Sequence, residues 1–196
     1  MALACLAAEA EHAGDRLAGQ GFALIDGSGV DLRQAVADFD KLQGNSGVPL
    51  QVAPDHPLVA ALLSQPAVRE MIAAAVGPRA RVVQGVAFDQ QGHASWSVPW
   101  HQAASGAAAA ESLILRWHLD LIGPADGGLR VLPGSHRKGR LSDAAIDRLA
   151  AETPAVELAV SAGTVVALRP LVVQGARRRT TRGHRRILQV ELAPGC

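Results

Sequence analysis

Few side chains in this sequence combine a reactive type with surroundings that suggest chemistry, and His101 is the first of them. It closes the segment WSVPWH (residues 96–101), in which two tryptophans flank a proline. An imidazole titrates near neutral pH, so His101 is a candidate general acid or base. Tyrosine is absent and the only lysines are Lys41 and Lys138. A tyrosine phenol is therefore excluded as catalyst, and Schiff-base chemistry has only two candidates.

A second group of candidates is basic and lies near the C-terminus. It is a run of arginines without interleaved aromatic residues: Arg177, Arg178, Arg179, Arg182, Arg185 and Arg186. This composition favours a solvated hairpin loop over a nucleic-acid surface. A symmetric hairpin of residues 171–176 and 185–192 would place Gln174 opposite Arg185 on one face.

A buried arginine is costly without an acidic partner. For Arg185 the sequence offers Glu157, Asp120 or Glu191 as that partner. The alternative is a carboxylate of a bound ligand, because a guanidinium fork matches a carboxylate.

The elements that must position these residues change in character at Pro78. Helical patterns cover residues 2–17, a helix capped by Asp31, and residues 55–63 and 66–76. Strand patterns follow at 81–88, 113–121, 127–132, 156–160, 164–168, 171–176 and 185–192, with one helix at 143–151 and an earlier strand at 22–25. This order predicts an antiparallel β-sandwich with helices packed outside. We expect one domain over residues 1–196, helical to about 78 and β-rich from about 79.

The segment 113–121 has the clearest alternation. Leu113, Leu115 and Trp117 fall on one side of the strand, whereas Arg116, His118 and Asp120 fall on the other. The alternation leaves open whether the polar side faces solvent or lines an interior cavity.

Composition limits the classes of function. The 196 residues are 48% hydrophobic and 19% charged with a net charge of +1, which excludes a disordered chain and a strongly basic nucleic-acid binder. Apolar runs are shorter than a membrane helix needs. The two cysteines, Cys5 and Cys196, form no disulfide framework. We therefore expect a cytoplasmic protein with a small-molecule substrate and no nucleic-acid or membrane partner. Assembly as a homodimer is compatible with the sequence.

Three segments in this order resemble the phytanoyl-CoA dioxygenase-like branch of the Fe(II)/2-oxoglutarate oxygenases. They are WSVPWHQ (96–102), LRWHLD (115–120) with GGLRVLPGSH (127–136), and AGT (162–164) through RPL (169–171) to Arg185-Arg186. The resemblance covers about residues 81–192. It implies a double-stranded β-helix, or jelly roll, with an iron site of two histidines and one carboxylate.

The iron-binding positions depart from that family pattern. The family's His-x-Asp reads His101-Gln102-Ala103, and the second histidine falls on Gln174. One of three ligands remains, which predicts a metal-independent protein without cofactors. Related halogenases also replace the carboxylate by a small residue, but they keep both histidines, so this alternative is less favoured.

Other family features are partly retained. Arg185 stands where the family arginine pairs with the distal carboxylate of 2-oxoglutarate. Gln90 takes the place of a family lysine, and residues 104–110 form a shorter segment than usual. The resemblance therefore favours an anionic ligand and a pocket lid that is incomplete.

The leading hypothesis is an iron-independent enzyme of secondary metabolism. It would catalyse an isomerisation, cyclisation, elimination or hydrolysis of a small anionic or polyketide-like metabolite. His101 would act as general acid or base and Gln174 as a hydrogen-bond donor to an oxyanion or carbonyl. We expect substrate contacts from Arg185, Arg116, His118, Arg130 and Trp100. The alternatives are an Fe(II)/2-oxoglutarate oxygenase with unusual ligation and a non-catalytic ligand-binding pseudoenzyme.

Overall fold

Two antiparallel β-sheets form the centre of the computed structural model, which describes residues 13–27, 29–43, 48–90, 97–103, 111–123, 126–181 and 183–195. In spatial order the larger sheet contains β1 (Phe22–Ile25), β8 (Val165–Leu168), β5 (Leu113–His118), β10 (Arg186–Ala193), β3 (Arg81–Asp89) and β2 (Leu50–Gln51). The smaller sheet contains β4 (Val98–Gln102), β9 (Val173–Ala176), β6 (Leu129–Val131) and β7 (Val156–Leu158). The predicted antiparallel, β-rich jelly roll is confirmed.

Helices precede β3 and flank the sheets. They are α1 (13–20), α2 (Leu32–Gln43), α3 (Pro57–Ser64) and α4 (Pro66–Val76); α5 (Asp143–Glu152) follows a 3₁₀ turn at Ser135–Lys138. As predicted, Asp31 caps α2, since its Oδ1 accepts hydrogen bonds from the backbone N–H groups of Arg33 (3.0 Å) and Gln34 (3.2 Å). Most of the helix expected at 2–17 lies outside the described residues.

Helix α3 begins two residues later than its pattern suggested. His56 is its N-cap, with Nδ1 accepting from the backbone N–H of Leu58 at 3.1 Å. Within the described part of the chain no single helix is long and apolar enough to span a membrane. The bent pair α3 and α4 passes that test by length and composition.

The larger sheet buries a different set of side chains on each face. Leu113, Leu115 and Trp117 of β5 pack with the helices in one core cluster, together with Leu188 and Val190 of β10. The opposite face, here called the inner face, is directed at the smaller sheet. Ile114 of β5 and Val166 of β8 pack there against Leu129 and Val131 of β6. The alternation of β5 is therefore confirmed, and its polar side is the inner one.

Two expectations about local connections are wrong. Strands β9 and β10 do not form a hairpin, because β9 pairs with β4 and β6 while β10 pairs with β3 and β5. The chain between them crosses from one sheet to the other. Strand β5 also ends at His118 rather than at Leu121. Asp120 beyond it bonds the backbone N–H of Arg186 at 2.7 Å.

Candidate functional site

Three basic side chains meet on the inner face of the larger sheet. Arg116 and His118 lie on β5 in the same alternation as Ile114, which faces the smaller sheet. Arg185 precedes β10, whose Leu188 and Val190 face the helices, so odd-numbered positions of this strand face inward. His118 pairs with Ile187, two residues from Arg185, and Arg116 pairs with Gln189, so the three side chains share this face. The charge of Arg185 lowers the pKa of both Arg116 and His118.

Arg116 has no acidic partner within the described residues. Its guanidinium carbon lies 5.9 Å from the centroid of the Phe88 ring, and its Nε is buried without a hydrogen-bond acceptor. Burial, followed by the charge of Arg185, lowers the pKa of Arg116 from its ordinary value to about 10. The group is still protonated at neutral pH, so an uncompensated positive charge lies inside the fold.

His118 is a buried histidine with both ring nitrogens unpaired. Only 2% of the residue is exposed, and neither Nδ1 nor Nε2 has a hydrogen-bond partner. Burial, and then the charges of Arg116 and Arg185, lower the pKa of His118 well below 6.5. It is neutral at pH 7, with one N–H donor and one nitrogen acceptor directed at no group of the described chain.

Arg185 is buried at 3% exposure and is held from one side only. Its Nη1 donates to Oε1 of Gln90 at 3.0 Å and to the carbonyl of Gly127 at 2.7 Å, whereas Nε has no acceptor. Burial is the main reason that the pKa of Arg185 is lowered to about 10; the charge of Arg179 adds to it and Asp126 opposes it. Gln90, which stands in for the family lysine, therefore orients this arginine.

The three carboxylates considered for Arg185 have other partners. Glu157 lies 4.0 Å from Nε of Arg177, Asp120 forms a salt bridge with Arg186 at 2.9 Å, and Glu191 accepts from the Ser112 hydroxyl at 3.1 Å. None of these three carboxylates contacts Arg185, whose described acceptors are Gln90 and Gly127, so the alternative of a ligand carboxylate remains for that side chain.

The basic run is not a solvated loop throughout. Arg177 and Arg178 are exposed as expected, and Arg182 lies outside the described residues. Arg179 is 7% exposed and donates through Nη1 to the carbonyls of Gln90 (3.2 Å) and Gly183 (2.9 Å). Arg186 bonds Asp40 and Asp120. For Arg179 and Arg186 the prediction of a solvated hairpin loop is wrong, because their guanidinium groups donate to carbonyl and carboxylate oxygens of the fold.

The three positions of the expected iron site share the inner face of the smaller sheet. His101 of β4 pairs directly with Gln174 of β9, Gln174 pairs with inward-facing Val131, and Ala103 packs against the core cluster between the sheets. Nδ1 of His101 donates to the carbonyl of Pro99 at 2.9 Å, since a carbonyl can only accept. Its Nε2 keeps a lone pair for a ligand or a proton.

This donor set does not fit the family's three-ligand iron site. His101 offers an imidazole and Gln174 an amide, while Ala103 offers no donor. Among the residues that the structure describes, no group of three histidine, cysteine, aspartate or glutamate side chains could hold a metal ion. A neutral amide oxygen is also a poorer ligand for Fe(II) than imidazole or carboxylate.

Arg130 and Trp100 lie on the opposite face of the smaller sheet from His101 and Gln174. The guanidinium carbon of Arg130 is 4.6 Å from the Trp100 ring centroid. Trp100 packs with Leu132 and Ile146 beneath α5. The structure therefore brings Arg116, His118 and Arg185 together on one inner face and His101 with Gln174 on the other, but it does not bring Arg130 or Trp100 to them.

Two neighbours of this cluster were missed by sequence reasoning. Phe88 lies under Arg116, and Asp126 lies 3.5 Å from Arg179. The period-2 pattern of β3 places Phe88 on the same face as Val86, but nothing in the sequence identifies the strand beside it. Asp126 carries no local signal for its role, because its partner is 53 positions away in the sequence.

Comparison with known proteins gives a consistent family. The model of the phytanoyl-CoA dioxygenase (PhyH) family matches residues 33–187. None of the curated proteins matches the chain by sequence. AviO1 from Streptomyces viridochromogenes Tue57 is 21% identical, with 95% of each chain covered and a TM-score of 0.79.

Two structures from nogalamycin biosynthesis are similar in fold. The epimerase SnoN, in complex with Fe3+, alpha ketoglutarate and nogalamycin RO, is 16% identical, covers 96% of this chain and 84% of its own, and has a TM-score of 0.82. The alpha ketoglutarate dependent carbocyclase SnoK is 18% identical, covers 94% and 83%, and has a TM-score of 0.78. The prediction that the protein uses no cofactor is wrong in view of these matches, because the family and its structures include enzymes with bound iron and alpha ketoglutarate.

Proposed function

Because the chain belongs to the phytanoyl-CoA dioxygenase family, we propose that it is a tailoring enzyme of secondary metabolism that binds 2-oxoglutarate through Arg185. The main support for this proposal is the buried Arg185 guanidinium. Its Nη1 donates two hydrogen bonds, whereas its Nε has no acceptor. The substrate is a small anionic or polyketide-like metabolite.

The inner face is suited to an anion. Two buried arginines, Arg116 and Arg185, have pKa values lowered to about 10 by burial first of all. A carboxylate placed on the free side of Arg185 forms charge-assisted hydrogen bonds with a planar fork. It also removes part of the cost of burying the two charges. The family position of Arg185, eleven residues after Gln174, supports 2-oxoglutarate as the first ligand to test.

Isomerisation or cyclisation is the reaction class that we favour. SnoN and SnoK, an epimerase and a carbocyclase by name, support a rearrangement of the substrate on this scaffold. In this chain Nε2 of His101 keeps its lone pair, because Nδ1 donates to Pro99. His101 is thus placed to accept a proton, and the amide of Gln174 beside it donates to a carbonyl or oxyanion.

Whether the protein binds iron as a cofactor is a matter for measurement. The described residues supply only the His101 imidazole and the Gln174 amide, so we assign no step of the reaction to the metal. The incomplete ligand set also favours a second candidate, a ligand-binding pseudoenzyme that takes up 2-oxoglutarate without consuming it.

Calorimetric titration with 2-oxoglutarate tests the proposal, with and without added Fe(II) under anaerobic conditions. Replacing Arg185 by Met removes a charge-assisted pair, so affinity should fall by about 10- to 100-fold. Arg178→Met is the matched control, because Arg178 is exposed in the same run, and its affinity should not change. If Arg185→Met binds 2-oxoglutarate as tightly as the native protein, the proposal is wrong.

A turnover assay with the same protein then distinguishes an enzyme from a pseudoenzyme. With Fe(II), oxygen and a candidate metabolite present, consumption of 2-oxoglutarate indicates an enzyme. Binding without consumption across candidate substrates favours the pseudoenzyme. Iron content of the purified protein, measured in parallel, reports whether His101 and Gln174 take part in metal binding when each is replaced by Ala.

A further inference from the structure

His118 has no part in the function proposed above, and Arg116 contributes to it only through its charge. We infer that they form a second acid-recognition subsite, so that the ligand anchored on Arg185 is a dicarboxylate held at both ends by protein side chains. This inference rests on the proposed function only in placing the first carboxylate on Arg185.

The register of the strands supports one continuous site. His118 pairs with Ile187, two residues from Arg185, and Arg116 pairs with Gln189 one step deeper on the same face. Residues at i and i+2 share a face of a strand. A ligand bound at Arg185 and extending along the inner face of β10 therefore meets His118 first and Arg116 next.

Both side chains lack partners in a way that packing does not explain. Nε of Arg116 and both nitrogens of His118 are buried without hydrogen bonds. Each buried polar atom without a hydrogen bond destabilises the folded protein, and native interiors contain few such atoms. Arg116 is only half-buried, whereas its strand neighbour Trp117 has no exposure at all. Part of Arg116 is therefore left accessible to a ligand.

The neighbouring acids are engaged elsewhere. Glu191, further along the inner side of β10, accepts from Ser112. Asp89 at the end of β3 accepts from Nδ1 of His184 at 2.9 Å and from the Arg185 backbone N–H at 3.4 Å. No described carboxylate bonds Arg116, which leaves this side chain open to an acid group of a ligand.

The donors select the chemistry of that second group. The Arg116 fork matches the two oxygens of a carboxylate. A neutral His118 donates one hydrogen bond and accepts another, which suits a hydroxyl group or a water beside a carboxylate. The Phe88 ring under the guanidinium supplies a flat apolar wall and no competing acceptor. A ligand with one acid group leaves Arg116 uncompensated.

Glutarate and valerate are the probes, since they share a five-carbon chain and differ by one carboxylate. Titrations are carried out in EDTA so that no metal holds the second acid. The native protein should bind glutarate at least about 10-fold more tightly than valerate. Arg116→Met should reduce the ratio of glutarate affinity to valerate affinity to near one, and Arg178→Met should leave this ratio unchanged. His118→Leu should weaken glutarate several-fold while leaving valerate unchanged.

The variants also separate this inference from the proposed function. If Arg116→Met folds and keeps the native ratio of glutarate affinity to valerate affinity, the second subsite is refuted. The role of Arg185 is tested independently by the titration with 2-oxoglutarate. If two equivalents of valerate bind and glutarate binds no more tightly than valerate, a single ligand does not bridge Arg185 and Arg116. Arg116 then binds a separate acid. If Arg116→Met does not fold, Arg116→Lys serves: it keeps the charge, loses the fork and should lower the ratio.

Discussion

Replacing Arg116 by Met should make the ligand-free protein more stable. Arg116 carries a positive charge inside the fold and bonds no described carboxylate, and its Nε has no acceptor. Methionine is similar in length, apolar and flexible, so it fills the same space beside Phe88 without a charge. Replacing buried charged groups by apolar ones of similar size is often neutral or stabilising.

The magnitude follows from the pKa of Arg116. The pKa of Arg116 is lowered to about 10, roughly two below that of an exposed arginine, and a difference of one in pKa corresponds to about 1.4 kcal/mol. The charge thus costs up to about 3 kcal/mol. Because Arg116 is not fully buried and Met leaves some void, we expect a gain of about 1–2 kcal/mol in the free energy of unfolding.

The sign depends on pH in a defined way. At pH 7 the guanidinium is protonated in both the folded and the unfolded chain, so the whole penalty is present. From about pH 10 up to the ordinary pKa of an exposed arginine, the unfolded chain binds more protons than the folded one, so the stability of the native protein rises with pH. The advantage of Arg116→Met should therefore shrink as pH approaches and passes 10.

Urea unfolding followed by circular dichroism at pH 7 measures the change, and melting temperature gives a second reading. A gain of 1–2 kcal/mol raises the melting temperature by about 2–8 °C in a chain of this size. Arg178→Met, on the exposed part of the basic run, should lie within about 0.5 kcal/mol of the native protein.

A loss of about 1 kcal/mol or more in Arg116→Met would refute the reasoning. It would mean that Arg116 has a stabilising partner in the ligand-free fold and that its charge is already compensated. The subsite argument would then lose its main support, whatever the binding data show.

Three other changes test separate parts of the structure. Asp120→Asn should lower the free energy of unfolding by about 1–3 kcal/mol, since Asp120 accepts from the backbone and the guanidinium of Arg186. The pKa of the buried His118 lies well below 6.5, so below pH 6.5 the unfolded chain binds a proton that the folded chain does not. His118→Leu should therefore reduce the decrease in the free energy of unfolding as the pH falls below 6.5. Ala103→Asp with Gln174→His should raise Fe(II) affinity by more than about 100-fold, as measured by anaerobic titration.

Each of these has a control or a contrary result. Asp40→Asn removes the more exposed partner of Arg186 and should cost less than about 1 kcal/mol. An unchanged pH slope in His118→Leu would show that His118 is charged or solvated in the folded protein. Unchanged iron binding in the double variant would show that residues 103 and 174 do not converge with His101.

Local features of the fold were readable from the chain. The Asp31 cap, the proline that begins α4, and the alternation of β5 depend on neighbouring residues only. Strand β4 had no such signal, because it is five residues long, contains Pro99 and alternates weakly. Strand β2 has two residues, too few for a period to be recognised.

The family and the antiparallel β-rich fold could be predicted from the residues alone. The direction in which the polar side of β5 faces could not, because a period of two separates two faces without saying which is covered. The pairing of β9 and β10 in different sheets could not be predicted either, and it places the buried Arg185 at the crossing between the sheets. Such pairings join residues far apart in the chain, and they are selected by burial on both faces of a strand at once.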